Sequence, residues 1–148
     1  MKILMVCLGN ICRSPLAEGI MQYLIKQKGL DWEVDSAGTG GYHIGRQPDS
    51  RSIKVAKSHG IDISAQTARQ FIPKDFDTFD RIIVMDEQNY KNVVSLAKTS
   101  AQREKVRLLV EHDIVPDPYY DDALFDPVFE LIEENCAKLL AELQNEKV

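Results

Sequence analysis

Cys7 and Arg13 stand six residues apart in the run Cys7-Leu8-Gly9-Asn10-Ile11-Cys12-Arg13-Ser14-Pro15, and between them they hold the makings of a covalent site for an anion. A cysteine thiolate is a nucleophile. The planar guanidinium fork matches two oxygens of a phosphoryl group. Ahead of the run, Ile3-Leu4-Met5-Val6 reads as a short buried strand, and behind it Ser14-Pro15 opens a helix-periodic segment. In a tight loop between a strand and a helix start, successive backbone N–H groups turn inward where the helix dipole favours an anion. The reading is a phosphate cradle with Cys7 at its floor. A Cys-x5-Arg spacing alone occurs by chance, so the strand-to-helix junction is what gives it weight, because ligands of open parallel sheets bind there. Neither G-x4-G-K-[ST] nor G-x-G-x-x-G follows the first strand, which favours a single phosphoryl group over a nucleotide tail.

The elements that must hold this loop follow from hydrophobic periodicity. After Pro15, Leu16, Ile20 and Leu24, flanked by Ala17, Met21 and Ile25, form one helix face, with Ser14 as N-cap, Pro15 at the first helical position and Gly29 as the stop. Trp32-Glu33-Val34 reads as a second strand, and residues 36–49, with four glycines and Pro48, as a loop in which Tyr42 and His43 are the large side chains. A helix is expected over residues 50–59, with Gly60 as its stop. Residues 61–74 give no clear pattern. Ile82-Ile83-Val84-Met85 is a buried strand, followed by an acidic helix start at Asp86-Glu87 and a helix into Lys98; residues 106–110 make a fourth strand, and 111–125 an Asp- and Pro-rich loop. The last helix begins with Asp126 as cap and Pro127 in first position, and it carries Val128, Ile132, Cys136, Leu139, Leu140 and Leu143 on one stripe. Cys136 is read as an inert core residue.

The 148 residues suit one domain, residues 1–148, without internal repeats or linkers. A net charge of −5 argues against nucleic acid or anionic lipid as partner, and no apolar run approaches the roughly 20 residues that cross a bilayer. The apolar run at the N-terminus is too short for a signal-peptide core, so the expected location is cytoplasmic. Cysteines at 7, 12 and 136 do not form a disulfide framework, and no Cys/His grouping has zinc-ligand spacing, so neither metal nor cofactor is expected.

The chain resembles the low molecular weight protein tyrosine phosphatases. The resemblance lies in Val6 through Pro15 with Ala17-Glu18, then Asp35-Ser36-Ala37-Gly38, Gly45-Arg46 with Pro48-Asp49, Ala68-Arg69-Gln70, and Asp117-Pro118-Tyr119-Tyr120, in the family's order over most of the chain. It implies a single α/β domain with a four-stranded parallel sheet of order 2-1-3-4 and helices on both faces, a flavodoxin-like arrangement. It also implies that Cys7 attacks phosphorus, that Arg13 and the loop of Leu8, Gly9, Asn10, Ile11 and Cys12 hold the phosphoryl oxygens, and that Asp117 protonates the leaving phenol. Asn10 holds the loop's backbone shape, and Ser14 donates its hydroxyl to the thiolate. Tyr42, Tyr119 and Tyr120 look like the aromatic walls that the family places around a phenyl ring. Cys12 matches the family's second loop cysteine, which implies a reversible Cys7–Cys12 disulfide.

The implied substrates are phosphotyrosine proteins, met as a monomer or weak dimer. Similar enzymes acting on phosphoarginine carry Thr where this chain has Ile11, and family arsenate reductases need mid-chain cysteines that are absent between Cys12 and Cys136. A phosphocysteine phosphocarrier of the same fold has no use for Arg13 and Asp117 together, and a silent phospho-binding module would not retain both cysteine and acid. The chain departs from the family at Gln66, where a His commonly bonds towards the loop asparagine, and Gln66 is the expected substitute donor.

Overall fold

The first strand owes its place to an unbroken apolar run. In the computed structural model, which describes residues 1–111 and 113–146, β1 (Lys2–Cys7) is buried from Ile3 to Cys7 and pairs on both sides. Its alternating side chains feed two cores. Ile3, Met5 and Cys7 point to one face, and Leu4 and Val6 to the other. Strands covered on both faces read as continuous apolar runs, and β3 (Arg81–Val84) is the second such run. With β2 (Glu33–Gly38) and β4 (Val106–Leu108) they form one parallel sheet of order β2-β1-β3-β4.

On the first face lie α1 (Arg13–Gln27), α2 (Ser50–Ser58) and α6 (Phe125–Glu146), which surround a core that includes Leu16, Ile20, Phe129, Ile132 and Leu140. The second face is closed by α3 (Asp75–Thr78) and α4 (Glu87–Val94), whose Phe76 and Val93 pack with Phe71, Phe79 and Ile82. A short α5 (Ser100–Glu104) precedes β4, and two 3-10 turns, Pro118–Tyr120 and Asp122–Leu124, lead into α6. The expected single α/β domain, strand order and two helical layers are all observed. The chain leaves β1 towards β2 and then returns to β3 on the other side, so the topological switch lies beside β1. The loops after β1, β3 and β4 meet there, at the carboxyl edge.

Several boundaries differ from expectation, each for a local reason. α1 begins at Arg13 with Cys12 in the cap position and no side-chain cap, so Ser14 and Pro15 are its second and third residues. The Ser14 hydroxyl is engaged by Cys7 and Asn10, and Pro15 is tolerated because the first-turn amides lack intrahelical partners in any case. β2 runs past Val34 through Asp35-Ser36-Ala37-Gly38, because pairing with β1 stabilises a polar segment that has no strand pattern of its own. The helix after β3 stops at Val94 rather than Lys98, and β4 stops at Leu108 rather than residue 110. Asp126 is not a cap. The turn Asp122–Leu124, capped by Asp121, delivers an already coiled chain, and α6 starts at Phe125. Gly29 and Gly60 stop their helices with φ of 65° and 79°, as expected. The α6 stripe is buried, and burial pushes the Cys136 thiol well above the usual range, in keeping with an inert core residue.

Candidate active site

The loop of residues 8–12, between β1 and α1, takes its shape around the Asn10 side chain. Asn10 has φ of 58°, the left-handed region that asparagine tolerates better than most residues. Its amide is fully used: Nδ2 donates to Ser14 Oγ at 2.8 Å and to Ser36 Oγ at 2.9 Å, and Oδ1 accepts from the Arg69 amide at 3.0 Å. Ser36 passes its proton on to Glu18 Oε1 at 2.6 Å. The expected donor, Gln66, does not reach Asn10; its Nε2 ends on Pro15 O at 3.1 Å. Arg69 takes that place because residues 69–71 run along the end of β2, with Gly38 N donating to Arg69 O and Phe71 N to Gly38 O. The loop presses on the same glycine. A Cβ at Gly38 would stand 2.8 Å from Leu8 O and 3.1 Å from Asn10 N.

Cys7 ends β1 with its Sγ 3.0 Å from Ser14 Oγ and 3.3 Å from the Asn10 amide, which donates to it. Arg13, 3% exposed, donates through Nη1 to Asp86 Oδ2 at 2.7 Å and to Val115 O at 3.1 Å, and its Nη2 lies 3.8 Å from Asp117 Oδ2. Burial opposes its charge, but Cys7, Asp86 and Asp117 outweigh that and raise its pKa. The second loop cysteine is different. Burial, then Asp49 and Cys7, push the Cys12 thiol up to about 12, so it stays neutral. Among the described residues no bond from the amides of Leu8, Gly9, Ile11, Cys12 or Arg13 to a protein acceptor is seen, which leaves a run of donors in the stretch that follows Cys7.

These groups open onto a cavity of about 440 Å³. Cys7, Leu8, Gly9, Ile11, Cys12, Arg13, Tyr42, Asp117, Tyr119 and Tyr120 all line it, while Asn10 and Ser14 lie buried behind the loop. His43, the other large side chain of the loop that carries Tyr42, joins them. Its ring lies against Gly9 and continues a chain of ring contacts from Tyr42 (6.5 Å) to Tyr119 (6.3 Å) and on to Tyr120 (5.0 Å). Asp86 was read only as a helix start; it does cap α4 through the Asn89 amide, and its other oxygen fixes Arg13. Its position just past the end of β3 was the available signal.

A family model described as low molecular weight phosphotyrosine protein phosphatase matches residues 2–148. The chain belongs to this family. The low molecular weight protein-tyrosine-phosphatase YfkJ of Bacillus subtilis is 42% identical over 99% of this chain and 97% of its own. The human low molecular weight phosphotyrosine protein phosphatase is 40% identical over 93% of this chain and 89% of its own. The crystal structure of YfkJ superposes with a TM-score of 0.92 at 40% identity, covering 100% of this chain and 97% of that one. A protein tyrosine phosphatase of Entamoeba histolytica, solved with Hepes in its active site, superposes with a TM-score of 0.93 at 38% identity, over 100% and 99% of the two chains. As a low molecular weight phosphatase the chain is an enzyme, with its cavity at the carboxyl edge of a sheet shared with these structures. Among the described residues no helix of this phosphatase is long and apolar enough to cross a membrane.

Proposed function

We propose that the protein hydrolyses phosphotyrosine monoesters on protein substrates through a cysteinyl-phosphate intermediate, with no metal in the step. One observation carries this reading: Cys7, Arg13 and Asp117 face a single cavity, with Cys7 Sγ 3.0 Å from the Ser14 hydroxyl. The thiolate attacks phosphorus and forms the P–S bond as the P–O bond to the phenol breaks, and the Asp117 proton goes to the departing oxygen. Arg13 and the loop amides meet the equatorial oxygens. In the second step Asp117, now a carboxylate, takes a proton from water as that water attacks phosphorus. The P–S bond breaks, inorganic phosphate leaves, and Ser14 donates to the returning thiolate.

The ring of tyrosine has matching surface here. Ile11 and Leu8 give the cavity apolar walls, and Tyr42, His43, Tyr119 and Tyr120 rim it, where an aryl ester gains contact that a short phosphoserine cannot reach. A guanidinium leaving group would need polar partners at Ile11, which offers none, so phosphoarginine is the less favoured substrate. Cys12, a neutral thiol in the same loop, is the partner for a reversible disulfide with Cys7 in this reading. The reaction calls on no cofactor, nucleic acid or membrane.

The test is a hydrolysis panel of phosphotyrosine, phosphoserine and phosphoarginine peptides with EDTA present, for which phosphotyrosine is the expected preference. Cys7→Ser is expected to abolish turnover and keep oxyanion binding; turnover surviving that change sinks the mechanism. Asp117→Ala should slow phosphotyrosine hydrolysis by roughly 10²–10⁴-fold, the usual scale of acid catalysis.

A further inference from the structure

Arg51, the second residue of α2, takes no part in lining the cavity, yet its side chain joins both halves of the site. Its Nε and Nη2 donate to the two oxygens of Asp49 at 2.9 Å each, and its Nη1 donates to Asp122 Oδ1 at 2.6 Å. Its guanidinium carbon lies 4.6 Å from the ring centroid of Phe125 and 5.5 Å from that of Tyr119. Asp49 caps α2 and donates its own amide to Ile11 O at 2.7 Å. Arg51 therefore reaches the phosphate loop through Asp49 and the Asp117 segment through Asp122, Tyr119 and Phe125.

Within the segment between these contacts Pro118 is buried and the Tyr119 ring meets His43, but few bonds reach it from the rest of the fold. It is anchored at buried Val115, whose amide donates to Met85 O at 2.8 Å, and again at buried Phe125. Between them the bonds are local: Tyr119 N to Asp117 Oδ1, Asp121 N to Pro118 O, Ala123 N to Asp121 Oδ1, and Leu124 N to Asp121 O. Among the described residues, the charged contacts from elsewhere are Arg13 on Asp117, at 3.8 Å, and Arg51 on Asp122.

We propose that Arg51 is a positioning residue: a clasp that holds the Asp117 segment in register over the phosphate loop, so that the proton donor and the Cys7 sulfur keep one separation through turnover. The inference rests on the reading of Asp117 as the acid. An exposed ion pair such as Arg51–Asp122 contributes little stability by itself. Here the two-point grip of Asp49 has already ordered the guanidinium, so Asp122 and the two rings meet a preset planar group rather than a mobile one. A misplacement of about 1 Å in a reacting group can cost on the order of 10²-fold in rate, so a contact of small stabilising value can still govern protonation.

Leaving-group dependence separates this role from a merely structural one, because 2,4-dinitrophenolate departs unaided whereas phenolate needs a proton. Asp122→Ala is the deciding variant: the side chain is 85% exposed, and its loss leaves the Asp49–Arg51 pair intact. It should lower kcat/KM on phenyl phosphate by roughly tenfold and on 2,4-dinitrophenyl phosphate by less than about twofold, while inhibition by inorganic phosphate stays within about twofold. Arg51→Gln should move in the same direction and further, and Arg51→Lys should restore only part of the loss, having the charge without the fork. Equal losses on both esters, or no loss on either, overturn the clasp. Asp117→Ala run alongside tells the two readings apart. If it fails to steepen the leaving-group dependence, the acid assignment falls and the clasp with it; if it steepens the dependence and Asp122→Ala does not, the clasp alone falls.

Discussion

Ser14 has one hydroxyl proton and two acceptors within reach of it. Its oxygen already accepts from Asn10 Nδ2 at 2.8 Å, which leaves the proton for Cys7 Sγ at 3.0 Å or Ala37 O at 3.5 Å. The shorter contact and the charge of a thiolate both favour sulfur. Removal of the hydroxyl should therefore act where the thiolate leaves phosphorus more than where substrate binds. A hydrogen bond to a charged group contributes about 1.5–3 kcal/mol, so Ser14→Ala should lower kcat by roughly 10–10²-fold with KM changed much less. Single-turnover kinetics that resolve release of phenol from release of phosphate check this. A matching rise in KM with kcat intact would assign Ser14 to binding instead. Asn10 makes the complementary point: every hydrogen-bonding atom of its side-chain amide is used in holding the loop, so that side chain has none left over for a substrate.

At the scale of elements, the end of β2 is the bed on which the loop of residues 8–12 lies. Gly38 pairs with Cys7, accepts from Phe71 N and has loop backbone within 3.1 Å of where a methyl would be, so an added Cβ must lift the loop. Gly38→Ala is expected to lower kcat/KM by at least about tenfold on any aryl phosphate, good or poor leaving group alike, because the nucleophile and the oxyanion donors move together. Wild-type activity in that variant would show that the loop can shift without cost. This bed was not legible in the sequence, since Asp35-Ser36-Ala37-Gly38 has neither alternation nor β-branched residues, and only pairing with β1 makes it a strand. β1, β3 and α6 were legible because burial on two faces, or along one stripe, leaves an apolar pattern. That Cys7, Arg13 and Asp117 would share one cavity was legible through motif and position. Asp86 and Arg51 were not, because their contacts depend on loops that meet only when the sheet has formed, and α3 and α5 are too short to carry a period. Gln66 misled for a related reason: the resemblance put a donor near Asn10 at that place in the chain, and the path of the backbone gave it to the Arg69 amide.

For the molecule as a whole, the support of the loop carries a cost in stability that depends on pH. Glu18 ends the chain of hydrogen bonds from Asn10 through Ser36, and burial raises its pKa to about 7; Asp35 adds to the rise, while Ser36 and Arg69 act against it. A carboxyl whose folded pKa lies above its unfolded value favours the folded state while protonated and loses that advantage as pH climbs from about 4 through about 7. Asp49 has the opposite sign. Its bonds from Arg51 depress its pKa, so its contribution is present above the ordinary carboxylate range and vanishes as pH falls through its folded value. Denaturant midpoints should therefore decline from pH 5 to pH 8 in the native chain, by up to on the order of 2–3 kcal/mol in unfolding free energy, and Glu18→Gln should flatten that decline. Parallel profiles for the two proteins would remove Glu18 from the balance.

The central place of β1 also sets an order in time. Cys7, the proposed nucleophile, precedes in the chain both the sheet neighbour that flanks β1 on one side, which begins at Arg81, and the proposed proton donor, Asp117. In a growing chain the Cys7 sulfur is therefore made before Asp86, the anchor of the Arg13 guanidinium, and before Asp117. In the proposed reaction Cys7 therefore gains its full setting only after the residues through Asp117 have been added.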